Sequence, residues 1–425
     1  MDKRFFNIFN LTEDQAIALL KTPLEELEDS SERYVAASHL INFPTEKSIN
    51  ALIETVEEDN PDLFHRIAKR KAIESLGRLK AKQAIPVIRA CLTDEDPYMV
   101  ENAVWAIGEI GTDDPQILEE IAQLLDTPSQ IYRVIIQTLA KFDYKPALAR
   151  IQQHTTSDNE PTKSTAIAMV ARFTGDYSQI DELIAFLQHS NVNARRACIQ
   201  DLIDANYYQA IPEIAKCPVS FVFRLRGIRI LGEKAIEAGK LQFAQIESYL
   251  DSVIGDRPND LEMVHEYDQK PTLEFLINEL YNTDFGRCYL ATQTILEEYA
   301  QEAPEAILAT YADQAHNDYG AHYHVVKLLG WLKYNPACDL IVEALHNPNA
   351  QFQKSRAAAA IALANLGETR SIPLLKEALN TPIFDLKYSS LLALEQLGDN
   401  SGWEIVANDA NLFIREKAAT KLAVR

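Results

Sequence analysis

The stretch 97–127, PYMVENAVWAIGEIGTDDPQILEEIAQLLDT, decides the fold. Val100, Ala103, Val104 and Ile107 recur at helical spacing. Gly108 and Gly111 punctuate, and Asp113, Asp114 and Pro115 offer a cap with proline just inside a second helix. That helix carries its own apolar face: Ile117, Leu118, Ile121, Leu124 and Leu125. Two short helices cannot bury such faces alone, so each pair needs a copy of itself on either side.

The copies are present. Aligning on the residue four positions before each helix-ending Leu-Gly gives Ala72, Ala103, Ile135, Ala166, Ala197 and Gly227, in steps of 31, 32, 31, 31 and 30 residues. The register begins at Ala36 and resumes at Val325, Ala362, Ala393 and Ala418. Leu76-Gly77, Ile107-Gly108, Leu231-Gly232, Leu329-Gly330, Leu366-Gly367 and Leu397-Gly398 mark helix ends, where a left-handed residue without a Cβ is expected. The small aligned residue lets neighbouring helices approach closely. The pattern predicts an all-α, HEAT-like short-repeat α-solenoid, curved, with one irregular joint. Four segments follow: N-terminal helices and a first repeat (1–60), a repeat block (61–232), an irregular joint (233–316) and a second repeat block (317–425). In the last block, repeats at 351–382 and 383–409 precede a final Arg- and Lys-rich helix near 413–422, expected as a polar cap on the stack.

Composition narrows the function. The 425 residues are 47% hydrophobic, enough for a long continuous core. The longest notable apolar run, 357–364, is eight alanine-rich residues, short of the roughly 18 of a membrane span. The opening MDKRFFNIFN lacks a signal-peptide h-region. Five scattered cysteines without a CxxC suggest buried thiols in a reducing cytoplasm. A formal net charge of −21 argues against nucleic acid or an anionic membrane as partner.

Basic residues nevertheless concentrate on the alanine-bearing helices: Arg66, Lys69, Arg70 and Lys71; Arg133; Arg195 and Arg196; Arg224, Arg226 and Arg229. They either fork onto aspartates of adjacent turns, holding the stack together, or line a face that meets carboxylates or phosphates. Arg224, Arg226 and Arg229 are the leading candidates for the second role, because FVFRLRGIR places them beside Phe221 and Phe223. The register then breaks. Gly255-Asp256-Arg257-Pro258-Asn259-Asp260 forms a strong turn, and longer helices are expected at 272–281 and 288–299. A joint here would set two repeat blocks facing each other across a cleft.

The segment 316–331, HNDYGAHYHVVKLLGW, is the densest polar-aromatic cluster, with three of the nine histidines. With a helix starting near Asp318, that carboxylate and His322 share a face at i, i+4, and Tyr319 and Tyr323 form the next stripe. Such a set could hold an N–H-rich or cationic ligand and relay protons. Asp318 could equally cap the helix. A metal site is disfavoured, since His322 and His324 lie about 200° apart on a helix and no HExxH occurs. The iron-binding His-Glu dipeptides of deoxyhypusine hydroxylases, which share this repeat, reduce here to His265-Glu266, outside the register.

MDKRFFNIFNLTEDQAIALL, RYVAASHLINFP, the short repeats and NDYGAHYHVVKLLGWL together resemble the E/F-type phycobilin lyases, most nearly the group serving phycoerythrin α subunits. The resemblance spans essentially the whole chain. It implies a cytoplasmic enzyme that binds phycoerythrobilin as substrate, with no permanently bound cofactor, and attaches it through a thioether to a cysteine of a phycoerythrin α subunit. Some relatives also isomerise the pigment to phycourobilin, and some require a second E/F-type subunit. Under that reading Asp318 gathers pyrrole N–H groups, and Tyr319 or His322 supplies a proton. Arg224, Arg226 or Arg229 meets a propionate, while Tyr323, His324 and Trp331 complete the binding surface. The other reading is a non-enzymatic repeat scaffold or chaperone of phycobiliprotein assembly.

Overall fold

The computed structural model describes residues 11–423. The opening decapeptide, which carries part of the resemblance and the signal-peptide expectation, lies outside the described residues. Every regular element among these is helical, and none is long and apolar enough to cross a membrane. Long alanine-bearing helices alternate with short ones, such as Pro97–Ile110 with Pro115–Gln123 and Gln353–Leu366 with Ile372–Ala378. Aspartates cap the starts as the sequence implies. Asp96 and Asp114 each accept a backbone N–H of the helix that follows, with Pro97 and Pro115 in the first turn.

The chain divides into two compact units, Met1–Ser178 and Gln179–Arg425. In the first, the Leu63–Arg78, Pro97–Ile110, Tyr132–Lys141 and Glu160–Thr174 helices pack in chain order. The aligned small residues Ala36, Ala72, Ala103, Ile135 and Ala166 are all buried there. The second unit holds the remainder of the repeats together with the irregular stretch, so the expected boundary at residue 232 falls inside it. Ala197 departs from the register: it is half-exposed, and Cys198 takes the buried place beside it.

The glycines serve two purposes, and the sequence pattern separates them poorly. Gly111, Gly367 and Gly398 have φ of +86°, +71° and +83°, the left-handed turn expected at helix ends. Gly77, Gly232 and Gly330 remain helical and instead permit close approach. A Cβ on Gly330 would lie 2.6 Å from both Cα and Cβ of Ala362, where backbone meets backbone. Gly330→Ala is therefore expected to destabilise the protein by about 1–3 kcal/mol despite alanine's better helix propensity. Chemical denaturation would report this as a lowered midpoint, whereas Gly111, with nothing within 4 Å of its Cβ position, would suffer only backbone strain.

Arginines do fork onto carboxylates between repeats. Arg70 pairs with Asp96, and Arg195 with Asp284, the cap of the Phe285–Glu298 helix. Arg224 does the same, and more deeply. The irregular turn places Asp256 in the left-handed region (φ +49°) at the end of the Glu247–Gly255 helix, fully buried. Its carboxylate takes an ion pair from Arg224 and hydrogen bonds from the hydroxyls of Tyr289 (3.0 Å) and Tyr323, with Lys327 Nζ 3.2 Å away. Arg224 donates further to the carbonyls of Val219 (3.1 Å) and Ala215 (3.0 Å). Arg224 and Tyr323 thus belong to a closed, buried network that ties four chain segments together; their assignment to ligand binding is corrected on that ground.

The facing blocks also differ from expectation. Within the second unit, side chains span directly from the earlier helices to the later ones. Phe221 stacks on Tyr323 at 5.5 Å between ring centroids, and the Arg229 guanidinium lies 3.9 Å over Phe384. The final helix, Leu412–Ala423, is not simply an outward polar cap. Its Lys417 is buried and pairs with Glu247 and Asp251 at 2.8 Å, and Phe413 meets Phe243.

Candidate functional site

A cleft opens on the second unit where five helices begin. The first turns of the helices starting at Phe221, Phe285, Tyr319, Gln353 and Phe384 all contribute to it, with Arg196 from the Val192–Asp204 helix. They surround a cleft of about 440 Å³. Helix starts carry partial positive charge, and carboxylates already cap two of these five: Asp284 accepts from the Gly286 N–H, Asp318 from those of Gly320 and Ala321.

The lining is aromatic and cationic. Val222, Phe223 and Tyr319, which line the cleft, are 43%, 38% and 56% exposed, large apolar surfaces that folding has not covered. Opposite them Lys354 is only 9% exposed. Its Nζ sits 4.2 Å from the ring centre of Phe285 and 4.5 Å from that of Tyr319, with no hydrogen bond or ion pair among the described residues. Burial pulls the Lys354 ammonium down to about 8. The Arg196 guanidinium lies 5.2 Å over Phe223, and one of its amino groups donates to the Thr283 carbonyl at 3.1 Å. Asp385 supplies the cleft's carboxylate, and burial pushes it above the ordinary carboxylate range.

The predicted residues divide around this cleft. Tyr319 is in it. Asp318 is the N-cap of the Tyr319–Trp331 helix, its Oδ1 accepting the N–H groups of Gly320 (2.8 Å) and Ala321 (2.7 Å). Removing this cap by Asp318→Ala is expected to cost about 1 kcal/mol, while Asp318→Asn, also a good cap, stays near wild type in thermal unfolding. His322 and His324 are buried rather than ligand-facing. Burial pulls their imidazoles down to about 4 and about 3, so neither is an imidazolium at neutral pH; His322 packs against Phe352 and Tyr311 outside the cleft lining, and its role as general acid is corrected on that placement. Arg226 is exposed and bound to the Gln200 side chain at 2.6 Å, outside the cleft. Arg229 is spent on Phe384.

Trp331 lies at the opposite end of its helix from Tyr319, twelve residues or about 18 Å away. It lines two adjoining hollows of about 390 and 370 Å³ that share Arg257, Asp260 and Asn365. Arg257, which lines both, is exposed, and Asp260 also lines both. Sequence reasoning missed Lys354, Phe285 and Asp385. Each sits at the start of a different helix, and only the packing brings them together.

Comparison with known proteins follows from this geometry. The chain matches the family model of HEAT repeats over residues 63–133 and that of the PBS lyase HEAT-like repeat over 355–381. It is 59% identical to the "Uncharacterized phycocyanin operon protein Y" of Pseudanabaena tenuis, over 98% of this chain and 99% of that one. It is 32% identical to the bilin biosynthesis protein CpeY of Synechococcus sp. WH8020, over 94% and 99%. A phycocyanobilin lyase subunit alpha from Thermosynechococcus vestitus is 28% identical over 49% of this chain and 84% of its own length.

Proposed function

Because the chain belongs to the HEAT-repeat E/F-type phycobilin lyase family, we propose that it binds phycoerythrobilin and joins it to a cysteine of a phycoerythrin α subunit. The observation that carries the reading is the cleft at the five helix starts: exposed aromatic rings, an unpaired ammonium at the wall and a carboxylate lining the same space. An open-chain tetrapyrrole is flat, carries two propionates and presents a row of pyrrole N–H groups. Phe223 and Tyr319 offer it exposed faces to lie on, and Asp385 offers its N–H groups an acceptor. Asp318 keeps its capping role in this reading.

The attachment is an addition. The acceptor cysteine's sulfur bonds to the exocyclic ethylidene carbon of ring A, the carbon–carbon double bond is spent, and a proton ends on the adjacent ring carbon. No group leaves and nothing is oxidised or reduced. Tyr319 is the proton donor, its hydroxyl being restored by the proton from the incoming thiol. The nucleophile belongs to the acceptor. Burial pushes the Cys217 and Cys288 thiols up to about 12, which leaves them protonated and inert at neutral pH. Most of the acceleration comes from holding a flexible pigment in one conformer, so that one face meets one thiol.

The test is co-expression with bilin synthesis enzymes and the phycoerythrin α subunit, with and without a second E/F-type subunit. A lyase yields a covalently coloured α subunit that survives denaturing electrophoresis. A urobilin-type absorption of that product would mean that isomerisation accompanies attachment. A scaffold or chaperone leaves the α subunit uncoloured.

A further inference from the structure

Lys354 is nine-tenths buried, its ammonium reaching the cleft with no carboxylate beside it among the described residues. A buried ammonium normally has a carboxylate or several carbonyls, because taking a bare charge out of water is costly. The neighbouring cation Lys327 follows the rule: it is bonded to the carbonyls of Gly255 (2.8 Å) and Asp256 (3.2 Å) and faces the Asp256 carboxylate. Lys354, on the adjoining helix, has only the faces of Phe285, Tyr319 and, at 5.4 Å, Tyr323. It opens onto the cleft that Arg196 also lines.

We propose that Lys354 is the anchor for a carboxylate of the ligand, so that the cleft takes a flat conjugated molecule bearing a free acid and rejects the same molecule as its ester. The proposal rests on the reading that this cleft binds a bilin, and it names the propionate as the group recognised. A ligand carboxylate would supply the counter-charge that the folded chain withholds. Three rings fix the ammonium in place, so the recognition is positional as well as electrostatic. Arg196, across the cleft and partly engaged by the Thr283 carbonyl, is placed for a second carboxylate.

Purified full-length protein titrated with phycoerythrobilin and, separately, with its dimethyl ester tests this through the absorption change on binding. Wild type is expected to bind the diacid about 10-fold or more tightly than the ester, and Lys354→Met to abolish that preference by weakening the diacid alone. Lys354→Arg should retain part of it. Folding does not confound the result, because removing an unpaired buried charge leaves no partner stranded, and thermal unfolding of Lys354→Met should match or exceed wild type. Raising the pH from 7 to 9 should erode the preference as the ammonium deprotonates. The other charged or titratable groups around it are Cys288, Asp318, Asp256, Arg196, Tyr319, Tyr323, His322 and His324, with Asp385 on the cleft wall. Equal affinity for acid and ester in wild type, or a preference that persists in Lys354→Met, overturns the proposal while leaving bilin binding intact. Wild type that binds neither compound overturns both.

Discussion

Asp256→Asn is expected to cost about 3–5 kcal/mol of stability, the largest single-residue effect on folding that this structure implies. Asparagine keeps the shape and tolerates the left-handed backbone at this position, so the substitution isolates the charge. What it removes is the only carboxylate among the described residues that Arg224 and Lys327 meet, leaving two cations in the core. The hydroxyls of Tyr289 and Tyr323 lose the same acceptor. Thermal unfolding should show a drop of roughly 5 °C. Adding Lys327→Met to Asp256→Asn should restore part of the loss, since the second cation then no longer lacks a counter-ion; a double-mutant cycle measures how much. Acid reproduces the effect. Burial pushes the Asp256 carboxyl up, but Lys327, Arg224 and the Tyr323 hydroxyl outweigh it and hold it below the ordinary carboxylate range. This contribution is therefore complete above the unfolded value near pH 4 and is lost as pH falls through the lower folded value.

Tyr319→Phe should slow thioether formation about 10²- to 10⁴-fold, the largest effect on activity, with little change in bilin affinity. Phenylalanine keeps the ring on which Lys354 rests and removes only the hydroxyl proposed to donate the proton. The separation is the test: absorption titration should read near wild type, while the rate of covalent attachment to the α subunit collapses. If both fall together, Tyr319 serves binding alone. If neither falls, another group delivers the proton.

The repeat was legible because stacking imposes a period, and the period places small residues and caps at fixed points that a reader can align. Asp114 was visible as a cap for the same reason. Why each glycine is there was not visible. Gly330 and Gly367 look alike beside a leucine, yet one abuts Ala362 and the other turns the chain left-handed, a distinction that lies in neighbouring helices. Arg224 shows the same limit. Its sequence context, aromatic and basic, suits a ligand surface and a structural ion pair equally. The partner that decides between them, Asp256, lies 32 residues on in an irregular turn. The candidate site was half legible. The segment around Tyr319 stood out as a dense cluster, but a cluster in sequence winds around a helix, so Tyr319 reaches the cleft while His322, His324 and Tyr323 turn into the core. Phe285, Lys354 and Asp385 are each unremarkable in their own segments. They become a site only because those helices start at one end of the same stack.

The central claim is that the pigment lies in the cleft at those helix starts. Absorption titration of the full-length protein with phycoerythrobilin, comparing Val222→Trp with Arg257→Ala, tests it most directly. Val222 is an exposed wall of the cleft, so a tryptophan there would fill it without disturbing the core, whereas Arg257 lines only the hollows beside Trp331. The account predicts a saturable spectral change in wild type and in Arg257→Ala, and its loss in Val222→Trp. Loss in Arg257→Ala with full binding in Val222→Trp would place the pigment beside Trp331 and contradict it.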